Sequence, residues 1–293
     1  MRRGDFAAAW AISDRVLRER LEKDEHCFDW PRHLQYIWRG ESLHDRRVLV
    51  RCYHGLGDTI EFGRFLEPLR KHAAHTTLWV QPELLELMAS VRGIDELVPL
   101  HDGTPDCTYD VDIELMELAH YLRAGPETIQ RRVPYIYEEM PRRTRRPDGE
   151  LHVGIAWKSG AWDPVRSIPE ALLAPLAHVR GVRWHSLQYQ AEAPLPAQRL
   201  IHKSIALTAR RMLGLDLVIS VDTITAHLAG ALGLPVWTLL THTCDWRWMA
   251  HGTRSCWYPT MRLFRQPSEG DWMPVVDEVR QALRSYSTLG CRL

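Results

Sequence analysis

The segment from residue 217 to 236 constrains the fold more than any other part of the chain. A mostly apolar segment, Leu217 to Val221, predicts a buried strand that leads directly into Asp222 and Thr223. A helix of small residues follows and ends at Gly233, and a second strand comes after it. Such a helix directs free N–H groups and the positive end of its dipole to the carboxyl edge of the strand. The pattern therefore favours a phosphate site on a parallel α/β sheet.

Strands and helices alternate along most of the chain. Strands are predicted at 48–53, 77–80, 152–157, 183–187, 217–221 and 236–240, with strand-like segments at 96–100 and 109–113. Helices are predicted at 59–72, after Pro82, and at 169–178, 206–214, 223–232 and 272–286. This alternation is typical of parallel α/β sheets and falls into two series. We therefore predict an α/β fold with two Rossmann-like domains facing a central cleft, where open α/β sheets bind ligands.

Four parts of the chain are predicted: a helical segment at 1–40, a first Rossmann-like domain at 41–138, a linker at 139–150 and a second Rossmann-like domain at 151–293. The first segment, which could form a helical hairpin, carries apolar residues on one helix face at Ala8, Ile12, Val16, Leu17 and Leu21. The linker is polar, rich in arginine and bounded by prolines. A nucleic-acid patch is the alternative for it, but a solvated linker fits a neutral chain better.

Composition excludes several function classes. The chain has 293 residues, of which 45% are hydrophobic and 25% charged, and its formal net charge is zero. These values are typical of a soluble globular protein with no field that would recruit nucleic acid or an anionic membrane. No run of about 18 apolar residues occurs, so no integral membrane association is expected.

The cysteines indicate a cytoplasmic protein. None of the six is closely paired in sequence, which is typical of reduced thiols. One group of possible metal ligands consists of His242, Cys244, His251 and Cys256. It lacks paired C-x-x-C spacing, so a zinc site is disfavoured and no metal is expected.

A glycine-containing turn follows the first predicted strand. Gly55, Gly57 and Asp58 suggest a dinucleotide fingerprint, but the third glycine is replaced by Ile60, and strand 77–80 does not end in an acidic residue. Nicotinamide binding is therefore disfavoured. The glycines could instead let a ligand approach the backbone, with Asp58 as a general base, or Asp58 could simply be the N-cap of the next helix.

The helix after Asp222 has a similar ambiguity. Asp222 could bind a ligand or serve only as an N-cap. Thr223 and Thr225 could donate hydroxyl hydrogen bonds to phosphate oxygens, and His227 lies on the same helix face as Thr223. A single helical histidine is more often structural than catalytic.

Two cations follow the first strand of the second series. Arg166 lies in the loop after that strand, where it could offset the charge of a leaving diphosphate, and Lys158 is the second candidate. Either could equally be a solvated surface cation. The aromatic residues between 246 and 258 suit a base or sugar ring, although interdomain packing is their commoner use.

Together these motifs resemble the heptosyltransferase-like glycosyltransferases (glycosyltransferase family 9-like), and most closely the branch often fused to tetratricopeptide repeats. The resemblance covers roughly residues 38 to 285. It is carried by His54–Phe62, Arg166–Pro169, Leu217–Thr223, His227–Gly233, Asp245–Trp248, Trp257–Gln266 and Gly270–Trp272.

The resemblance implies a GT-B fold whose first domain binds the acceptor and whose second binds a nucleotide diphosphate-sugar. It also implies inverting transfer without a metal ion or other cofactor. Asp58 would be the base that activates the acceptor hydroxyl, and Arg166 would neutralise the donor diphosphate. The donor would be held by Gly57, Lys158, Asp222, Thr223, Thr225 and His227.

The implied reaction is transfer of a sugar, possibly a heptose, to a hydroxyl of lipopolysaccharide core, another glycan, a lipid-linked glycan or a protein. This chain departs from many heptosyltransferases in having Ile224, rather than glycine, two residues after Asp222, and it carries no repeat array. Two alternatives are a nucleotide-sugar epimerase, which needs no acceptor, and a catalytically silent nucleotide-sugar-binding or scaffold protein.

Overall fold

The structure is a computed structural model that describes residues 1–126, 128–129, 133–136, 149–189 and 192–290, with side chains to 287. The chain divides into two compact units, Met1–Tyr137 and Glu138–Leu293. Most of the predicted linker, residues 139–148, lies outside the described residues.

The first unit contains a four-stranded parallel sheet with the order β3-β2-β1-β4. Its strands are β1 (Arg47–Arg51), β2 (His75–Val80), β3 (Glu96–Pro99) and β4 (Val111–Glu114), and its helices are α1 (Phe6–Glu22), α2 (Leu56–Phe62), α3 (Leu66–Arg70), α4 (Leu85–Met88) and α5 (Glu117–Tyr121). Short 3-10 helices lie at Arg32–Leu34, Gly63–Phe65 and Pro82–Leu84. The central strand β1 is apolar because it is buried between two neighbours.

The predicted helical hairpin at the N-terminus is wrong. Only α1 forms, and a single 3-10 turn follows it. The predicted apolar face is also wrong, because Phe6 and Trp10 are the buried residues of α1, whereas Ile12 is 54% exposed. The Trp10 indole donates a hydrogen bond to the Ala124 carbonyl (2.7 Å) and stacks on His120, so these aromatic contacts decide which face packs.

The predicted helix at 59–72 is interrupted. The chain forms α2, then the 3-10 helix Gly63–Phe65, then α3. Pro68 lies in α3 and has no N–H to donate to the carbonyl of Arg64, so a continuous α-helical ladder is not possible there.

The second unit contains a six-stranded parallel sheet with the order β10-β9-β8-β5-β6-β7. Its strands are β5 (Leu151–Ala156), β6 (Val182–Ser186), β7 (Ala197–Arg199), β8 (Leu217–Val221), β9 (Val236–Leu240) and β10 (Met261–Arg265). Its helices are α6 (Ile205–Met212), α7 (Ile224–Ala231) and α8 (Met273–Gly290), with 3-10 helices at Pro164–Arg166, Glu170–His178 and Trp246–Trp248. Counted from β5, this is the Rossmann strand order 3-2-1-4-5-6.

The sequence predictions missed β7 and β10 in this sheet. They also assigned an α-helix to residues 169–178, where a 3-10 helix forms around Pro175. Proline cannot donate the α-helical hydrogen bond, which explains the difference. Across the residues that the structure describes, no helix combines the length and the apolar character that a membrane crossing requires.

Helix α7 packs closely against an aromatic ring. A Cβ atom at Gly230 would lie 2.5 Å from Cδ1 of Tyr258, which is fully buried. Glycine at this position therefore lets Tyr258 approach the helix backbone.

Substitution Gly230→Ala should destabilise the protein by about 1–3 kcal/mol, because the added methyl group overpacks against Tyr258. In an uncrowded helix the same change stabilises by about 0.5–1 kcal/mol, so the sign is diagnostic. Urea unfolding measures the difference, and a Gly230→Ala protein as stable as the wild type would contradict the packing.

Candidate functional site

A cation and a carboxylate meet at the carboxyl edge of the second sheet. The strand order reverses between β5 and β8, which lie side by side with Ala156 opposite Ser220. The loops that leave these two strands bring Arg166 to Asp222. The Arg166 Nη1 donates to the backbone carbonyl of Asp222 (2.8 Å) and lies 3.5 Å from the Asp222 Oδ2. Ligands of open α/β sheets bind at such a reversal.

Asp222 is a buried carboxylate with a second partner besides Arg166. His227 places Nε2 at 3.6 Å from Oδ1 of Asp222 and Nδ1 at 3.1 Å from the Tyr258 hydroxyl. Burial opposes ionisation of Asp222, but His227, with Trp248 and Arg166, outweighs it and lowers the Asp222 pKa to about 2. The carboxylate is therefore charged at neutral pH.

Helix α7 begins one residue later than an Asp222 cap would require, so the N-cap alternative for Asp222 is wrong. The N-cap is Thr223, and its side chain makes no capping hydrogen bond. The Thr223 hydroxyl instead lies near the Val221 carbonyl (3.4 Å) and Ser220 (3.3 Å). Thr225 is half-buried in the first turn. The N–H groups of that turn remain suited to an anionic ligand.

Lys158 is engaged elsewhere at the same edge. Its Nζ lies 2.6 Å from Oε1 of Glu170, and its backbone N–H donates to Gln188. The contact with Lys158 lowers the pKa of Glu170. Of the two predicted cations, the structure brings Arg166 to Asp222, and Lys158 to Glu170.

The loop that carries Arg166 is tied by several contacts. The Arg166 Nε lies 2.9 Å from Oδ2 of Asp163, and its guanidinium lies 4.2 Å from the ring centre of Trp162. Ser159, which sequence analysis did not single out, also holds this loop. Its N–H donates to the Ser167 hydroxyl, and its own hydroxyl donates to the Asp163 carbonyl. Arg166 is therefore held with only 15% of its side chain exposed.

A histidine and a glutamate meet at the corresponding reversal of the first sheet, between β1 and β4. His54 Nδ1 lies 3.0 Å from Oε1 of Glu114, whose side chain is 2% exposed. Glu114 also accepts N–H bonds from Tyr53 and Met116. Sequence reasoning did not single out this pair; the available signal was an acidic residue, Glu114, directly after the predicted strand 109–113.

The pKa values of this cluster are shifted. Burial disfavours the charged form of His54, but Glu114, then Asp58 and Glu117, outweigh it and raise the His54 pKa. Burial raises the pKa of Glu117 to about 7, against backbone donors that include the N–H of Trp38. The imidazole is therefore held by a buried carboxylate at the edge where the predicted turn lies.

Asp58 is not the N-cap of α2, so that alternative is also wrong. Gly55 is the cap, and Asp58 lies three residues into the turn, where its Oδ2 accepts the Gly55 N–H (3.0 Å). Gly57 is half-buried in the same turn. Gly57 and Asp58 belong to the first unit, and the other predicted site residues to the second.

Two of the four candidate metal ligands, Cys244 and His242, have other partners. Arg265 donates to Cys244 Sγ (3.1 Å), and His242 Nδ1 lies 3.3 Å from the Gln266 carbonyl. Within the described ranges, no three or more His, Cys, Asp or Glu side chains come together as metal ligands. The aromatic loop packs inward: Trp248, Trp257 and Tyr258 are buried, and Arg265 donates to the Trp248 carbonyl.

Comparison with solved structures agrees with the strand topology. A glycosyl transferase family 9 protein from Veillonella parvula superposes with a TM-score of 0.53 and 16% identity, over 85% of this chain and 99% of that one. Heptosyltransferase WaaC of E. coli, with ADP-2-deoxy-2-fluoro heptose, gives 0.52 and 15%, over 82% and 99%. The E. coli ADP-heptose lps heptosyltransferase II gives 0.55 and 11%, over 83% and 99%. The chain has the GT-B-like fold of these heptosyltransferases.

Sequence comparison finds one distant relative and no matching family model. Protein FlbA of Caulobacter vibrioides is 24% identical over 297 residues, a match that covers 85% of this chain and 48% of FlbA. The chain thus spans about half the length of this curated relative.

Substitution Asp222→Asn should lower the free energy of unfolding by about 2 kcal/mol at pH 6, because the ionised carboxylate is stabilised in the folded state. A lowered pKa contributes stability above the unfolded value near 4, and this contribution is lost as pH falls toward 2. Urea unfolding of both proteins at pH 6 and pH 3 should therefore show a shrinking difference. Asp277→Asn, at an exposed ion pair with Arg280, is the control and should have little effect.

Substitution Glu114→Gln should lower the pKa of His54, because the main charge that favours the imidazolium form is removed while burial remains. The pH dependence of the imidazole nitrogen shifts in NMR spectra measures this, with His54→Gln used to assign the signal. Glu278→Gln in the second unit is the control. An unchanged His54 pKa in Glu114→Gln would contradict the contact.

Proposed function

We propose that the chain is a heptosyltransferase-like glycosyltransferase that moves a sugar from a nucleotide diphosphate-sugar to a hydroxyl acceptor. The observation that carries the proposal is the contact of Arg166 with Asp222 beside the uncapped start of α7. Together they offer a cation and helix N–H groups at the strand reversal of a sheet with Rossmann order.

The proposed ligand of this edge is the donor diphosphate. Arg166 shares its charge with Asp163 and Asp222, which fix Nε and Nη1 and so orient the remaining edge of the guanidinium. A planar guanidinium held in this way suits phosphate oxygens, and it stabilises charge that develops on a leaving diphosphate. Thr223 and Thr225 are proposed as hydroxyl donors to the phosphates, and His227 as the support of Asp222.

An ADP-linked sugar is the proposed donor. Solved structures with this fold include WaaC with ADP and the glycosyltransferase TibC with ADP-D-beta-D-heptose. A heptose is the first sugar to test, and hexoses are the alternative. Lys158, which is paired with Glu170, is given a secondary role in donor binding.

Asp58 is the proposed base in the first unit, and Gly57 is proposed to allow close approach to its turn. Transfer would invert the sugar carbon without a metal ion, since Arg166 and the start of α7 supply positive charge for the leaving group. A glycan such as lipopolysaccharide core, a lipid-linked glycan or a protein is the proposed acceptor, and the cytoplasm is the proposed location. Membership of the branch fused to tetratricopeptide repeats is part of the same proposal.

A thermal-shift screen against ADP-, GDP-, UDP- and dTDP-sugars tests donor binding, because a ligand that binds the native state raises the melting temperature. ADP-sugars should stabilise the wild type. Arg166→Ala should weaken ADP binding by about 10-fold or more, since a charge-assisted contact is lost, whereas Lys158→Ala should change it less than about threefold.

Two further results separate the proposed transfer from its alternatives. Asp58→Asn should keep nucleotide binding and lose sugar transfer, whereas a silent binding protein would show no transfer in the wild type either. An epimerase would convert the ADP-sugar without any acceptor. Absence of stabilisation by every nucleotide-sugar would contradict the proposed donor site.

A further inference from the structure

Trp162 is a large aromatic side chain that the fold leaves in solvent. It is 80% exposed, whereas Trp157, five residues earlier and directly after β5, is fully buried. It lies in the loop between β5 and the 3-10 helix Glu170–His178, the loop that also carries Arg166. Because so little of its apolar surface is removed from water, the Trp162 side chain adds little hydrophobic stabilisation to the fold.

The indole is nevertheless held in place. The Arg166 guanidinium lies 4.2 Å from its ring centre and covers one face. Gly160 makes room for the ring, because a Cβ atom there would lie 3.0 Å from Cδ1 of Trp162. The Asp163 N–H donates to the Gly160 carbonyl (3.2 Å) and closes the turn around the ring. One face of a fixed ring is thus occupied by a cation, and most of the remaining side chain is open to solvent.

The position of the ring beside Arg166 indicates its occupant. In a nucleotide diphosphate-sugar the transferred sugar is bonded directly to the diphosphate, whereas the base is separated from it by the ribose. A ring within 4.2 Å of the guanidinium that binds the diphosphate is therefore within reach of that sugar. The C–H groups on one side of a pyranose ring form an apolar surface that suits a flat aromatic face.

We propose that the open face of Trp162 stacks on the transferred sugar of the donor, so that Trp162 distinguishes the sugar nucleotide from the free nucleoside diphosphate. This inference rests on the proposed function, because it requires that Arg166 binds the donor diphosphate. It gives the second unit two adjacent subsites: Arg166 and the start of α7 for the diphosphate, and Trp162 for the sugar.

Calorimetric titration with ADP and with ADP-heptose tests the stacking in the full chain. Trp162→Ala should weaken ADP-heptose binding by about 3- to 10-fold, or about 0.65–1.4 kcal/mol, because a stacking contact is lost. ADP binding should stay within about twofold of the wild type. Trp162→Phe should retain most of the affinity for ADP-heptose, because a flat ring remains.

Val165→Ala is the matched control, since Val165 is 68% exposed in the same loop and should affect neither ligand. An equal loss of ADP and ADP-heptose affinity in Trp162→Ala would overturn the inference, because it would show that Trp162 acts on the nucleotide or only through Arg166. Unchanged affinity for both would also overturn it while leaving the proposed function intact. If the wild type binds neither ligand, the proposed ADP-linked donor fails, and the stacking fails with it.

Discussion

The second unit is organised around one buried ionised carboxylate. Removing a charge from water costs several kcal/mol unless partners compensate it, and Asp222 has His227 and Arg166 as partners. These contacts join the loop after β5 to the start of α7, and the Tyr258 hydroxyl extends the set to the aromatic loop. The Asp222 carboxylate thus joins three segments, and it orients Arg166, the cation that we propose binds the donor diphosphate.

The topology explains why polar groups gather at two places. In a parallel sheet all strands present their carboxyl ends at one edge, and the loops diverge where the strand order reverses. Each unit has polar side chains at its reversal: Arg166 with Asp222 in the second, and His54 with Glu114 in the first. The edge of the second unit combines the Arg166 cation with helix N–H groups. The edge of the first unit combines His54 with a buried carboxylate, so the two edges are suited to different chemistry.

Local patterns predicted part of this arrangement. Strands β8 and β9 were located to the residue because four of the five residues in each are apolar and both strands are fully buried. Strand β7, Ala197–Arg199, was missed because it is short, polar and at the sheet edge. The contact of Glu114 with His54 joins residues 60 positions apart, and it depends on β4 lying beside β1. Both N-cap interpretations failed because helix starts shifted by one to three residues, which local sequence does not fix. The roles of Asp58, Thr225 and the other site residues remain predictions.

Hydrogen exchange with and without ADP tests whether the diphosphate binds where Arg166 meets the start of α7. We expect slower exchange of backbone amides in two segments, 158–168 and 222–228, because phosphate oxygens would accept hydrogen bonds from the first turn of α7 and order the loop that carries Arg166. Binding of ADP with protection confined to other segments would show that the diphosphate does not bind at this edge.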